Sequence, residues 1–139
     1  MIERIVLAVD GSERSARAVE RAAEIAERFG AVVTVVHVNE TTTSWGVGFD
    51  PTIVSDETGA ALVDGVVRDL KDRGISALGE VRTAPTGIVP DEIVDVAREA
   101  DASMIVMGTR GLSDLKGLML GSVAHGVLRL AHCPVLVVR

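Results

Sequence analysis

Short apolar runs rich in β-branched residues alternate along this chain with longer stretches of helical period, and that alternation leaves few folds open. RIVLAV, at 4–9, ends in the turn signal Asp10-Gly11-Ser12. The stretch after it, about 13–29, carries Ala16, Val19, Ala23 and Ala26 at helical spacing; Ser12 is placed to cap it and Gly30 to close it. VVTVVHV, at 32–38, is a second buried strand. Residues 39–55 lack a period and read as a long loop, which in a compact domain is often functional or mobile. A helix over about 56–73 follows, with Ala60, Leu62, Val63, Val66, Val67 and Leu70, and Gly74 ends it. A weaker strand at 75–83, a helix at 88–99 with Ile93, Val94 and Ala97 inward, and the strong strand SMIVMG at 103–108 come next. After the glycine-bracketed GTRGLSDLKGLMLGS, a helix over about 122–131 leads to a last strand, PVLVVR, at 134–139.

Strands joined by helical crossovers lie parallel, and the crossovers are right-handed. The expected fold is α/β: an open, doubly wound, five-stranded parallel sheet of order 3-2-1-4-5, Rossmann-like, with helices on both faces. The 139 residues show no linker, repeat or second composition regime, so one domain spanning 1–139 is expected. Aromatic residues make up only 2% of the chain, so Val, Ile, Leu, Ala and Met must build the core, as in sheets buried on both faces.

A net charge of −6 with so few aromatics argues against nucleic acid as a partner, since phosphates are repelled and bases find little to stack on. The one cysteine, Cys133, excludes an intramolecular disulfide and a cysteine-based metal cluster. MIERIVLAVDGS reads as a first strand and not as a signal peptide, and no apolar segment approaches a membrane span. A cytoplasmic protein without membrane contact is the simplest expectation.

In open parallel sheets the ligand lies beyond the carboxyl ends of the strands, where strand order reverses. For order 3-2-1-4-5 that point falls between strands one and four, where Asp10 ends one strand and Gly108 the other. The glycine-rich stretch after Gly108 exposes backbone N–H groups, and the helix beginning near Gly121-Ser122 adds the positive end of its dipole, so an anion is favoured. Ser122 can cap that helix or donate to a phosphate oxygen, and the two uses compete. The P-loop pattern fails because no lysine stands between Gly121 and Ser122. AVDGSERS does not supply the dinucleotide fingerprint.

Gly108, two residues, Gly111, nine residues, Gly121 and Ser122 reproduce the G-2x-G-9x-G-[ST] pattern of the nucleotide-binding branch of the universal stress protein family. RIVLAVDGSERSARAVERA resembles the family's start and GSVAHGVLRLAHCPVLVVR is similar to its end, so the resemblance covers the whole chain. It implies an ATP-binding regulatory module of the stress response, with Mg2+ accompanying the phosphates. Gly108, Gly111, Gly121 and Ser122 would hold ribose and phosphates, with Arg110 and Val123 beside them. Ala8, Val9 and Asp10 would line the cleft, Val38 would present backbone to the adenine edge, and Met107 would pack near the base. The last strand would pair across a homodimer, and an unidentified protein partner would read the nucleotide state. At His125-Gly126 the chain departs from the family's usual acidic or polar residue followed by a bulkier one. Glycine there costs roughly 1 kcal/mol relative to alanine, which leaves a looser helix or a close approach by another chain or a ligand as the readings.

Plainer roles stand beside these. Asp10 serves equally as a turn residue with Gly11 and Ser12. His37 reads as a satisfied core histidine, Met104 and Met107 as core, and Trp45 as an ordinary loop aromatic or a cover for a base. His125 and His132, seven apart, are read as one helix face two turns apart, longer than the four-residue spacing of a two-histidine metal site. Cys133 beside His132 keeps a transition-metal site as the alternative. A slow ATPase is the enzymatic rival, but no catalytic base or set of metal carboxylates is evident, so tight binding with little turnover is expected. A phosphoacceptor domain lacks its acidic residue after strand three, where VRTAPTG stands, and a serine hydrolase lacks G-x-S-x-G. A nucleotide-free dimeric scaffold is the remaining rival.

Overall fold

A computed structural model of the chain describes residues 1–41, 52–109 and 120–139, with residues 52–57 by their backbone. The elements follow as β1 (Arg4–Ala8), α1 (Glu13–Phe29), β2 (Val32–Thr41), α2 (Thr52–Asp72), β3 (Ala77–Pro85), α3 (Val89–Glu99), β4 (Met104–Gly108), α4 (Ser122–Leu130) and β5 (Val135–Val138). They form a five-stranded sheet of order β3-β2-β1-β4-β5, parallel at every joint, as the alternation of periods demands. In register, Ile5 lies between Val33 and Met104.

Because side chains alternate along a strand, each strand feeds two cores. Ile5, Leu7 and Val9 face α1 and α2 together with Val33 and Val35, whereas Val6 faces α3 and α4 with Val36, Ile105 and Met107. All but Val9 and Met107 of these are at most 1% exposed, which is how a sheet covered on both faces is built without aromatics.

Several boundaries differ from the sequence expectation. β2 continues to Thr41 because β3 pairs with it up to the Thr41–Pro85 register, converting the expected loop start into ladder. α2 begins at Thr52 and β3 occupies Ala77–Pro85. Glycines let α2 sink onto these strands. A Cβ on Gly59 would fall 2.7 Å from Asn39 Oδ1 and from His37 Cδ2, and one on Gly79 would fall 2.6 Å from Val63 Cγ1.

α4 stops at Leu130, with Ala131 already extended at ψ 140°, so His132 lies beyond the helix and does not share a face with His125. Pro134 keeps the helix from resuming: it has no N–H to donate, Cys133 before it is restricted away from helical geometry, and its carbonyl accepts from Ile105 N–H at 2.9 Å to start β5. Among the described residues no three His, Cys, Asp or Glu are grouped to hold a metal ion, and no helix is long and apolar enough to cross a membrane. Gly126 is neither loose nor open. Its missing Cβ would lie 2.5 Å from Pro90 Cγ, so the glycine is what lets α4 pack directly on α3.

Ala16, expected at the helix's inner stripe, is exposed; α1 instead buries Ser15, Ala18, Val19, Ala22, Ala23 and Ala26. It lines a groove of about 440 Å³ between α1 and α2, with Val19, Leu62, Gly65 and Val66. Arg73, at the end of α2, bridges the groove to Glu20 of α1 by a two-pronged ion pair at 2.6 and 3.0 Å.

Candidate functional site

β1 delivers Val9 and Asp10 to the carboxyl edge of the sheet, and backbone bonds hold them there. Val9 N–H donates to Val36 carbonyl at 2.9 Å, and the Val9 carbonyl lies 2.8 Å from His37 Nδ1. His37 is therefore satisfied, and it pins the end of β1 to β2. Asp10 Oδ1 accepts from both Ser12 N–H (2.9 Å) and Ser12 Oγ–H (2.6 Å) across Gly11 at φ +84°. Ser12 Oγ in turn accepts from Ser15 N–H at 3.2 Å, the side-chain cap expected of it. Ser15 closes the circuit, its Oγ accepting from Asp10 N–H at 3.1 Å. Ser15 is 3% exposed and was not among the sequence candidates; the D-G-S-x-x-S spacing is the signal that identifies it. Turn formation thus occupies one Asp10 oxygen.

Gly108 ends β4 against the first turn of α1. A Cβ there would lie 3.0–3.1 Å from the Arg14 carbonyl carbon, Cβ and carbonyl oxygen, so the space a side chain would take belongs to α1. Thr109 N–H donates to the Val138 carbonyl at 2.9 Å, and Gly121 N–H donates to the Thr109 carbonyl at 2.7 Å. The two ends of the glycine stretch are thereby clasped together at the sheet edge. Arg110 and Gly111 lie outside the described residues, as do Trp45 and Lys116.

α4 begins differently from α1. Its cap residue is Gly121 (φ −62°, ψ 156°), with no side-chain cap and no acidic residue in the first turn. Ser122 is the first helical residue and not the cap, so the expected competition for its hydroxyl does not arise; the residue is exposed. The N–H groups of a first helical turn have no acceptor within the helix, and here they are those of Ser122, Val123 and Ala124. Together with the dipole they form a local positive end at the switch point.

The two residues expected near the base, Val38 and Met107, lie on one face with Ala8 of the cleft lining and Val123 of the phosphate side. Ala8, Val38 and Val123 are half-buried against the core shared by α3 and α4, and Met107, 5% exposed, is part of it. The α1/α2 groove lies on the other face, between the flanks of two helices, and it is mainly apolar. One end of it reaches the start of α1 at Gly11, Ser12 and Ser15, where the Ser12 hydroxyl already accepts the Ser15 N–H, and Glu20 and Asp69 add negative charge, so the groove suits an anion less than the start of α4 does. Cys133 is half-buried, and burial pushes its thiol up from the ordinary value, which keeps it protonated and a poor metal ligand.

Comparison with known proteins agrees with this fold. The Universal stress protein family model matches residues 1–139. The universal stress protein YxiE of Bacillus subtilis is 34% identical, the match covering 100% of each chain. The universal stress protein from Archaeoglobus fulgidus, solved in complex with dAMP, has 29% identity and a TM-score of 0.70, over 100% of this chain and 98% of that one. A universal stress protein solved in complex with cAMP has 29% identity and a TM-score of 0.67, over 99% and 97% of the two chains. With strand order, full-length sequence match and neighbouring structures all in accord, the chain belongs to the universal stress protein family.

Proposed function

We propose that residues 1–139 form a single adenine-nucleotide-binding domain that acts as a regulatory module of the stress response, binding ATP at the β1/β4 switch point. The observation that carries this reading is the start of α4, where the cap residue is a glycine without a side-chain cap and the first turn holds no acidic residue. Relatives of the same fold solved with dAMP and cAMP support an adenine nucleotide as the anion.

In this arrangement the phosphates meet Ser122 and Val123 N–H and the Ser122 hydroxyl, with Gly121 leaving the approach open. Gly108 seats α1 and marks the end of β4, and Arg110 and Gly111 complete the phosphate side from outside the described residues. Ala8, Val38 and Met107 form the base side, with Val38 backbone at the adenine edge. Val9 and Asp10 line the ribose end. Asp10 keeps its second oxygen for a ribose hydroxyl or a metal-bound water, its first being committed to the turn.

Mg2+ fits this site only as the companion of the phosphates, because Asp10 is the one carboxylate that β1 brings there. When bound, it neutralises phosphate charge. A cytoplasmic setting, a homodimer through β5 and a protein partner that reads the nucleotide state belong to the same proposal. Calorimetry with ATP, AMP and cAMP, each with and without Mg2+, tests it. ATP with Mg2+ is expected to bind most tightly; no heat with any of the three, and no nucleotide released from the purified protein on heating, would overturn it.

A further inference from the structure

The two edges of the sheet are unequal: β5 ends one with four residues, and β3 ends the other with nine. Hydrogen bonds fix which main-chain groups of β3 point outward. Val33 N–H donates to the Ser76 carbonyl (2.9 Å), and Thr86 N–H donates to the Thr41 carbonyl (3.3 Å). Main-chain groups alternate sides along a strand, so even-numbered residues of β3 address β2, while Gly79, Val81 and Thr83 address the outer edge. Pro85, which has no N–H, stands at an outward position, where an edge strand tolerates it. Leu78 is 61% exposed and Val81 39% exposed, one on each face of this edge.

We propose that this edge pairs with the same edge of a second copy, antiparallel about a two-fold axis through Val81. That register is the one in which outward groups meet outward groups: Val81 opposite Val81, and Gly79 opposite Thr83. Between them Glu80 of one copy stands opposite Arg82 of the other, at the closer, non-hydrogen-bonded spacing, and Leu78 opposite Ala84. Acid meets base, large meets small, and a β-branched residue meets glycine, in both directions, as an isologous contact requires. Arg82 is already held in place by Glu80, Glu92 and Glu99 of its own chain, so its guanidinium is positioned before a partner arrives. Those three carboxylates outnumber the one guanidinium, so the pairing is weak and concentration-dependent. Since β3 and β5 are opposite edges, pairing at both would extend one sheet from copy to copy without closing.

Val81→Pro is the selective probe, because it removes an outward N–H and leaves the β2 ladder whole. Light scattering of the full chain over a concentration series is expected to show the wild-type mass rising above that of the variant. In the wild type, amide exchange followed by NMR is expected to slow with concentration at Gly79, Val81 and Thr83, while Glu80 and Arg82, bonded to β2, stay unchanged. Equal masses at every concentration would overturn the proposal. So would a rising mass with those three outward amides exchanging at a constant rate, since the copies would then meet elsewhere. Should Val81→Pro fail to fold, the wild-type amides alone decide.

Discussion

Helices α1 and α4 both begin at the carboxyl edge of the sheet, and each is seated through a glycine contact, yet their first turns are opposites. α1 is capped from within: Ser12 Oγ accepts the Ser15 N–H, Asp10 Oδ1 accepts the Ser12 N–H and hydroxyl, and Ser15 Oγ accepts the Asp10 N–H. α4 starts at a glycine with no side chain to offer. The same position in the fold carries a side-chain cap in one helix and none in the other. A helix start that caps itself contributes stability, and one that does not leaves donors for a ligand.

Seating should show the largest effects. Gly126→Ala drives a methyl into the Pro90 ring, which is part of a rigid backbone and cannot swing away. Overpacking of this kind costs about 1–3 kcal/mol, and chemical denaturation should register it as a lower midpoint at unchanged slope. Gly108→Ala meets the Arg14 main chain and should destabilise within the same range, read the same way. The sign at Gly126 is the reverse of the intrinsic helix preference, which alone favours alanine.

Opening the closed start comes next. Ser12→Ala removes the cap of α1 and should cost about 1 kcal/mol in the same denaturation experiment, with nucleotide affinity little changed. Closing the open start is the converse. Gly121→Ser should raise stability by only about a few tenths of a kcal/mol. Its hydroxyl would take an N–H that the phosphates need, so calorimetry should show ATP binding weaker by about ten-fold, near 1.4 kcal/mol. If Ser12→Ala weakens ATP binding more than Gly121→Ser does, the assignment of roles to the two helix starts is inverted.

The smallest effect concerns the far end of the α1/α2 groove. Arg73 holds the Glu20 carboxyl below the ordinary carboxylate range, mainly through its hydrogen bond. A depressed folded-state value means the stabilisation is complete above the unfolded-state pKa and is lost as pH falls through the folded one. Both groups reach solvent, so the gain is small. Arg73→Ala should lower stability slightly at neutral pH, and the difference from wild type should vanish as pH falls through the folded-state value of Glu20, read by denaturation at a series of pH values.

The sheet was legible in the sequence because strand and helix periods differ and each apolar run had a turn signal behind it. The switch point followed from strand order, and the Ser12 cap from residue type alone. What sequence periodicity does not carry is contact between distant segments. Gly126 reads as a weak helix position until Pro90 is seen against it. Ser15 reads as an ordinary helical serine until its hydroxyl is found under Asp10. β2 looked finished at Val38 because the residues after it are polar, whereas pairing with β3 carries it to Thr41. His132 follows a helical count that ends at Leu130. Asp10 illustrates the limit on the site side: its turn role is local and readable, while any ligand role depends on what the turn leaves over.

Thr109 divides its main chain between two neighbours, giving its N–H to β5 and its carbonyl to Gly121. The stem of the 110–120 stretch is thus closed by the domain itself before any ligand is considered. In an engineer's terms the clasp is a fixed socket: β5 and Gly121 are tied to the same residue, so the place where α4 begins is set by the sheet itself.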